Sequence, residues 1–112
     1  MTSRASCGCM TLPSDAAFAH SFSDTLGVPC TEARLRRFPD GELDVQWPPE
    51  AVPHTAVVVA SLVATQTDSL HDRLMQLVFS IHQLKAAGAE RCVGVMPYLG
   101  YARSDTKTAA TD

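Results

Sequence analysis

The chain has 112 residues, 46% of them hydrophobic, which allows one small domain. Its net charge of −3 at pH 7 excludes a broad basic surface for nucleic acid or anionic lipid. Its longest apolar run, Ala56 to Ala64, is too short to span a bilayer, and the residues up to Asp15 lack the apolar segment of a secretory signal. We therefore expect a cytoplasmic protein, with an organelle matrix as the alternative.

The first elements predicted from the sequence are a strand and a helix. Residues Ala5 to Leu12 favour a short strand. Ser14 or Asp15 is the predicted N-cap of the helix that follows, and Gly27 is its predicted end.

The four cysteines indicate a reducing compartment rather than a metal centre. Cys7 and Cys9 form a CxC pair, but the chain has no second Cys or His pair spaced to complete a zinc site. Cys30 and Cys92 are interpreted as small apolar residues of the interior. We predict no metal site in this chain, and a zinc site is the less favoured alternative.

The segment "RRFPDGELDVQW" predicts a β-hairpin. Pro39-Asp40-Gly41 is a turn signal, because proline presets φ and glycine accepts a positive φ. The predicted strands are Ala33–Phe38 and Glu42–Trp47, and apolar and polar residues alternate in the second. Taken by itself, the tip of this hairpin is most simply an ordinary solvated turn.

A βαβ unit is predicted for the second half of the chain. The run from Thr55 to Ala64 is typical of a parallel strand covered on both faces. A helix over Ser69–Gly88 follows, with Gly88 as its C-cap, and Arg91–Tyr98 is predicted to be another buried strand. The predicted apolar stripe of the helix is Leu70, Leu74, Leu77, Val78, Ile81 and Leu84, with Arg73, Gln76, Gln83 and Lys85 placed elsewhere around it.

The segment after the last strand, "PYLGYARSDTKT", contains residue types suited to a ligand site. Ligands bind beyond the carboxyl ends of the strands in open α/β sheets. Tyr98 and Tyr101 offer flat faces, and Gly100 lets the backbone approach a ligand. Arg103 is able to bind a phosphate or stack on a base. From these residues alone, a nucleotide or anion site and an ordinary charged loop are equally good interpretations.

Two stretches, "RRFPDGELDVQW" and "LHDRLMQLVFSIHQLKAAGAERCVGVMPYLGYARSDTKT", resemble ribose-phosphate diphosphokinase, also called phosphoribosyl pyrophosphate synthetase. The family pattern contains FxDGE, NDxLMELL and PYxGYARxDRKT, and the first and last of these together are specific. The resemblance implies an α/β fold of the phosphoribosyltransferase type, with a mainly parallel sheet flanked by helices and a projecting β-hairpin. It also implies that residues 1–112 form an N-terminal domain.

The resemblance implies a reaction and a set of partners. The family converts ATP and ribose 5-phosphate into phosphoribosyl pyrophosphate and AMP for nucleotide biosynthesis, with magnesium neutralising the phosphates. Catalysis of this kind depends on positioning and charge. Family members form dimers and often hexamers, so a homo-oligomer is expected, and neither nucleic acid nor a membrane is an expected partner.

The ATP-binding residues implied by the resemblance lie in the hairpin tip and in the last loop. The hairpin reaches across a subunit interface in this family, which points to Phe38 stacking on the adenine. Arg103 packs against the nucleotide from its own subunit. The full implied set is Phe38, Asp40, Glu42, Arg103, Ser104, Asp105 and Lys107.

Three positions depart from the family pattern. Many members have Gln at Ser104, a basic residue at Thr106 and Asn at His71. The resemblance also implies that the family's magnesium-binding histidine, its catalytic loop and its second domain lie outside this chain. We therefore expect the chain to contribute no catalytic residue and to be inactive alone. The alternative from another functional class is a non-catalytic regulatory subunit associated with such a synthetase.

Overall fold

The computed structural model describes residues 5–98, which contain two α-helices and six strands. The helices are α1 (Ala16–Leu26) and α2 (Leu70–Ala86). The strands are β1 (Cys7–Thr11), β2 (Cys30–Glu32), β3 (Arg34–Arg37), β4 (Leu43–Gln46), β5 (Thr55–Val59) and β6 (Arg91–Val95). Neither helix of this part of the chain has the length and hydrophobicity of a membrane-spanning segment.

Four strands form one parallel sheet in the order β2-β1-β5-β6. Met10 of β1 pairs with Thr31 of β2 on one side and with Val58 of β5 on the other. Val58 in turn pairs with Gly94 of β6. The predicted βαβ unit from β5 through α2 to β6 is confirmed, and so is the predicted α/β class with a mainly parallel sheet.

A different helix covers each face of the sheet. Because successive side chains of a strand point to opposite faces, each helix packs against a different set of strand residues. On one face, Cys9 and Val59 pack with Ala19 of α1 in a small apolar cluster. The opposite face carries the main core, to which α2 and the β3–β4 hairpin contribute. Its buried members include Met10, Leu12, Val45, Trp47, Ala56, Val58, Leu77 and Leu84.

The predicted hairpin is confirmed. β3 and β4 are antiparallel, with Leu35 opposite Val45. Val45 is fully buried in the main core, whereas residues 38–42 at the tip are exposed. The hairpin therefore lies against α2 by one face and presents its turn to solvent.

The buried stripe of α2 differs from the predicted one. Leu77 and Leu84 are buried as expected, and Leu74 and Ile81 pack against the main core at partial burial. Val78 was predicted to belong to the buried stripe, but it is 47% exposed. Arg73 and Gln76 were predicted to lie outside that stripe, but both are buried. Polar side chains tolerate burial when partners satisfy them, and both residues have such partners. The buried residues of α2 are Arg73, Gln76, Leu77, Ser80 and Leu84.

The sheet also differs from the prediction at three strands. The short strand β2 was not predicted, because three residues after Pro29 are too few to show a periodic pattern. β5 ends at Val59, although the apolar run continues to Ala64. The prediction of a second fully buried strand was wrong: in the described residues β6 lies at the edge of the sheet, and its Val93 is 44% exposed.

Candidate functional site

The turn between β3 and β4 brings three of the predicted ATP-binding residues together. The Phe38 N–H donates to the Glu42 carbonyl at 2.8 Å, and the Gly41 N–H donates to the Phe38 carbonyl at 2.8 Å. The Asp40 carboxylate accepts from the Glu42 N–H at 3.0 Å. Gly41 has a φ of 91°, in the left-handed region that favours glycine. Phe38, Asp40 and Glu42 are therefore held on one hydrogen-bonded turn, exposed to solvent.

The ring of Phe38 is backed by an arginine of β3, the strand that precedes it. The guanidinium carbon of Arg36 lies 4.7 Å from the centroid of the Phe38 ring, within the range of a cation–π contact. Arg36 also pairs with Asp44 of β4 at 3.4 Å, which fixes the guanidinium within the hairpin. Phe38 remains 37% exposed, so part of its ring stays open to solvent.

Arg37 connects the turn to the rest of the domain. One of its terminal nitrogens, Nη1, donates to the Gly41 carbonyl at 3.1 Å. The other, Nη2, lies 3.4 Å from the Asp68 carboxylate and 3.3 Å from the Asp72 carboxylate. Asp68 belongs to the loop before α2, and Asp72 belongs to its first turn. A single guanidinium therefore joins the hairpin turn to the N-terminal end of α2.

A buried polar network continues from Asp68 towards the carboxyl ends of β1 and β5. The Gln76 amide donates to Asp68 at 3.2 Å and accepts from Arg73 at 3.2 Å. Arg73 donates to Asp15 at 2.6 Å, and its Nε donates to the Ser61 carbonyl at 3.1 Å. Asp15 also accepts from the Ser61 N–H at 3.0 Å. The backbone N–H and carbonyl of Ser61 are therefore bonded to side chains rather than to a neighbouring strand. This explains why β5 ends before the apolar run does.

The sequence analysis missed this network. Asp15 occupies the predicted N-cap position of α1, but its side chain makes no capping hydrogen bond there and binds Arg73 and Ser61 instead. One signal was present: Arg73 lies four residues before Leu77 and therefore falls on the same face of α2. An arginine on an apolar face predicts a buried partner, but the sequence does not say which carboxylate that partner is.

The N-terminal end of α2 is closed by a reciprocal cap. The Ser69 hydroxyl accepts from the Asp72 N–H at 3.1 Å, and the Asp72 carboxylate accepts from the Ser69 N–H at 2.9 Å. That backbone N–H, with a further contribution from Arg37, holds the pKa of Asp72 below its ordinary value of 3.8. The ionised form of Asp72 is therefore the one that the fold stabilises.

We expect the Asp72→Asn variant to lose part of the acid dependence of folding. A pKa that is lower in the folded state stabilises the protein above pH 3.8, and this contribution disappears as the pH falls through the folded value. The urea midpoint of the wild type should therefore drop more steeply below pH 3.8 than that of Asp72→Asn. Asp24→Asn, at an exposed position of α1, is the control and should keep the wild-type slope. Identical slopes for the wild type and Asp72→Asn would contradict the prediction.

The other predicted ATP-binding residues lie outside the described residues; these are Arg103, Ser104, Asp105 and Lys107. The segment that leads to them is described as far as Tyr98. The Ala60 N–H donates to the Val95 carbonyl at 3.1 Å, and the Leu62 N–H donates to the Tyr98 carbonyl at 2.8 Å. The chain leaving β6 therefore runs beside the chain leaving β5, next to Ser61 at the end of the polar network.

The described residues do not form a magnesium site. Within residues 5–98, no three His, Cys, Asp or Glu side chains lie close enough together to hold a metal ion. The carboxylates of Asp68 and Asp72 are both paired with Arg37. Burial raises the pKa of Cys9, one thiol of the CxC pair, to about 12, which disfavours the thiolate form that a metal ion would bind.

Comparison with known proteins gives one consistent result. The family model for the N-terminal domain of ribose phosphate pyrophosphokinase matches residues 8–112. The ribose-phosphate pyrophosphokinase of Clostridium tetani is 37% identical over 95 residues, which are 84% of this chain and 28% of that protein. Ribose-phosphate pyrophosphokinase 1 of Streptococcus agalactiae is 33% identical over 101 residues, which are 90% of this chain and 30% of that protein.

The chain thus spans less than a third of the length of these relatives. The match includes the hairpin with the FPDGE turn, both α-helices and all of the parallel sheet except Cys7, the first residue of β1. With an α/β fold of the expected kind and a family model that matches nearly the whole chain, the protein belongs to the family of the N-terminal domain of ribose phosphate pyrophosphokinase.

Proposed function

We propose that this chain supplies the adenine-binding part of the ATP site in a ribose-phosphate pyrophosphokinase. That enzyme transfers a pyrophosphoryl group from ATP to ribose 5-phosphate for nucleotide biosynthesis. The observation that carries the proposal is the exposed turn, where the Phe38 ring is backed by Arg36 and lies on the same turn as Asp40 and Glu42. An aromatic face takes up a base by stacking, and carboxylates accept from the amino group at its polar edge.

The last loop is proposed to bind the rest of the nucleotide. Arg103 would pack against the base or the phosphates through its planar guanidinium, and Ser104, Asp105 and Lys107 would complete the site. Magnesium would enter with ATP and neutralise its phosphates. We place the ribose 5-phosphate site and the catalytic groups in parts of the relatives that this chain does not match. We also propose a homo-oligomer, with the hairpin of one subunit completing the nucleotide site of another, and a cytoplasmic location.

We expect Phe38→Ala to weaken ATP binding about tenfold, which corresponds to about 1.4 kcal/mol. The reason is the loss of the stacking surface, since base stacking on an aromatic side chain contributes about 1–3 kcal/mol. Arg103→Ala should weaken binding by a similar factor. Calorimetric titration with ATP and magnesium measures both effects. If Phe38 and Arg103 of one site come from different subunits, dilution of the wild type should also weaken ATP binding.

Phe18→Ala is the matched control for Phe38→Ala. Phe18 is also a partly exposed phenylalanine, but it lies on α1, where it stacks on Phe22. This variant should bind ATP as the wild type does. Unchanged affinity in Phe38→Ala would remove the hairpin from the nucleotide site and return the turn to the simple interpretation of a solvated loop.

A further inference from the structure

We propose that Arg37 is a positioning residue for nucleotide binding: it holds the hairpin turn in place by joining it to the N-terminal end of α2. This inference rests on the proposed function, because it concerns the turn that would hold the adenine. Arg37 itself need not touch the nucleotide. Its role would be to determine where Phe38, Asp40 and Glu42 lie relative to the rest of their own domain.

The first step of the argument is the set of partners of Arg37. Its guanidinium donates to the Gly41 carbonyl within the turn and pairs with Asp68 and Asp72 outside the hairpin. These three acceptors belong to three different segments of the chain. A planar guanidinium presents several donors in a fixed arrangement, so it is able to bridge such acceptors. The amine of a lysine is a single point charge and does not reproduce this bridge.

The second step is the contrast with Arg36. Arg36 contacts Phe38 and Asp44, both of which belong to the hairpin. It therefore orients the Phe38 ring within the hairpin but does not connect the hairpin to α2. The adjacent Arg37, on the other side of β3, makes that connection. The two neighbouring arginines thus have separable effects, one on the ring and one on the turn as a whole.

The third step is the continuation of the Arg37 contacts into the domain. Asp68 accepts from Gln76, and the buried network runs from there through Arg73 to Asp15 and Ser61. Ser61 adjoins the segment that leaves β6, through the bond from Leu62 to Tyr98. Arg37 therefore links the turn to this hydrogen-bonded network, which ends at Ser61 beside the segment that leaves β6.

The fourth step concerns exposure. The side chain of Arg37 is 41% exposed, and exposed ion pairs contribute little to folding stability. Arg37 is therefore better suited to setting the position of an exposed turn than to stabilising the fold. A binding group that is displaced by a fraction of its contact distance loses affinity even when the fold is intact.

The test uses the variants Arg37→Met and Arg37→Lys. Calorimetry measures the affinity of each variant for ATP and for adenosine, and urea denaturation measures the midpoint of unfolding of each variant. We expect Arg37→Met to bind ATP about fivefold more weakly, within the range of other couplings that act through neighbouring residues, at an unchanged urea midpoint. Arg37→Lys should show an intermediate loss. Adenosine binding should weaken by the same factor as ATP binding, because a displaced turn affects the contacts with the base.

Arg34→Met, which removes a positive charge from an exposed position of the same strand, is the control and should bind ATP as the wild type does.

A double-mutant comparison separates positioning from direct contact. If Arg37 acts through Asp68, the losses in Arg37→Met and Asp68→Asn should not add in the double variant. A larger loss for ATP than for adenosine, with additive effects, would overturn the proposal in favour of a direct contact between Arg37 and the phosphates. Unchanged affinity in Arg37→Met, with weakened binding in Phe38→Ala, would also overturn it while leaving the proposed function intact. Unchanged affinity in Phe38→Ala would instead contradict the proposed function.

Discussion

Replacement of Arg73 by alanine is expected to lower the free energy of unfolding by about 3–5 kcal/mol. Only 1% of the Arg73 side chain and 9% of the side chain of its partner Asp15 are exposed. The substitution would leave the Asp15 carboxylate in the interior without its counter-charge, and it would remove the donor to the Ser61 carbonyl. Urea denaturation followed by circular dichroism measures the effect.

Two further variants show whether the ion pair is the cause. Arg91→Ala removes an arginine from an exposed position of β6 and should change the free energy of unfolding by less than about 0.5 kcal/mol. In the double variant Asp15→Asn/Arg73→Ala, no carboxylate is left unpaired, so its destabilisation should be smaller than the sum of the two single effects. A cost below about 1 kcal/mol for Arg73→Ala would mean that water reaches the pair and that the interior described for it is wrong.

The second large effect is expected for Leu84→Ala, with a loss of about 2–5 kcal/mol of unfolding free energy. Leu84 is fully buried in the main core, and truncation of such a side chain leaves a cavity that the surrounding sheet and hairpin fill only in part. Val78→Ala is the matched control on the same helix. Because Val78 is 47% exposed, this change should remain within about 0.5 kcal/mol of the wild type.

This pair of variants also tests the orientation of α2. The periodicity of the sequence places Leu84 and Val78 on the same apolar stripe, whereas the structure buries one and exposes the other. Similar losses for Leu84→Ala and Val78→Ala would support the stripe predicted from the sequence. A large loss for Leu84→Ala alone would support the observed stripe, in which Arg73 and Gln76 take positions in the interior.

The elements that the sequence predicts correctly are those whose causes are local. Gly27 ends α1 with a φ of 72°, and Gly41 allows the hairpin turn with a φ of 91°. At both positions a single residue type permits a backbone conformation that other residues rarely adopt. The βαβ unit follows from the change of hydrophobic period along the chain. The role of the FPDGE turn in ATP binding rests on the family resemblance instead, and it stays a prediction.

The tertiary structure decided the features that depend on distant residues. Arg73 and Asp15 are 58 positions apart, and Arg37 and Asp68 are 31 apart. The position of β6 at the edge of the sheet formed by residues 5–98 likewise depends on the strand order, which periodicity does not contain. Hydrophobic spacing reports which face of an element turns inward, but not which partner it meets there. Burial of a charge becomes acceptable only when the fold brings a counter-charge to it, so the polar network that links the hairpin to the strand ends exists only in the assembled structure.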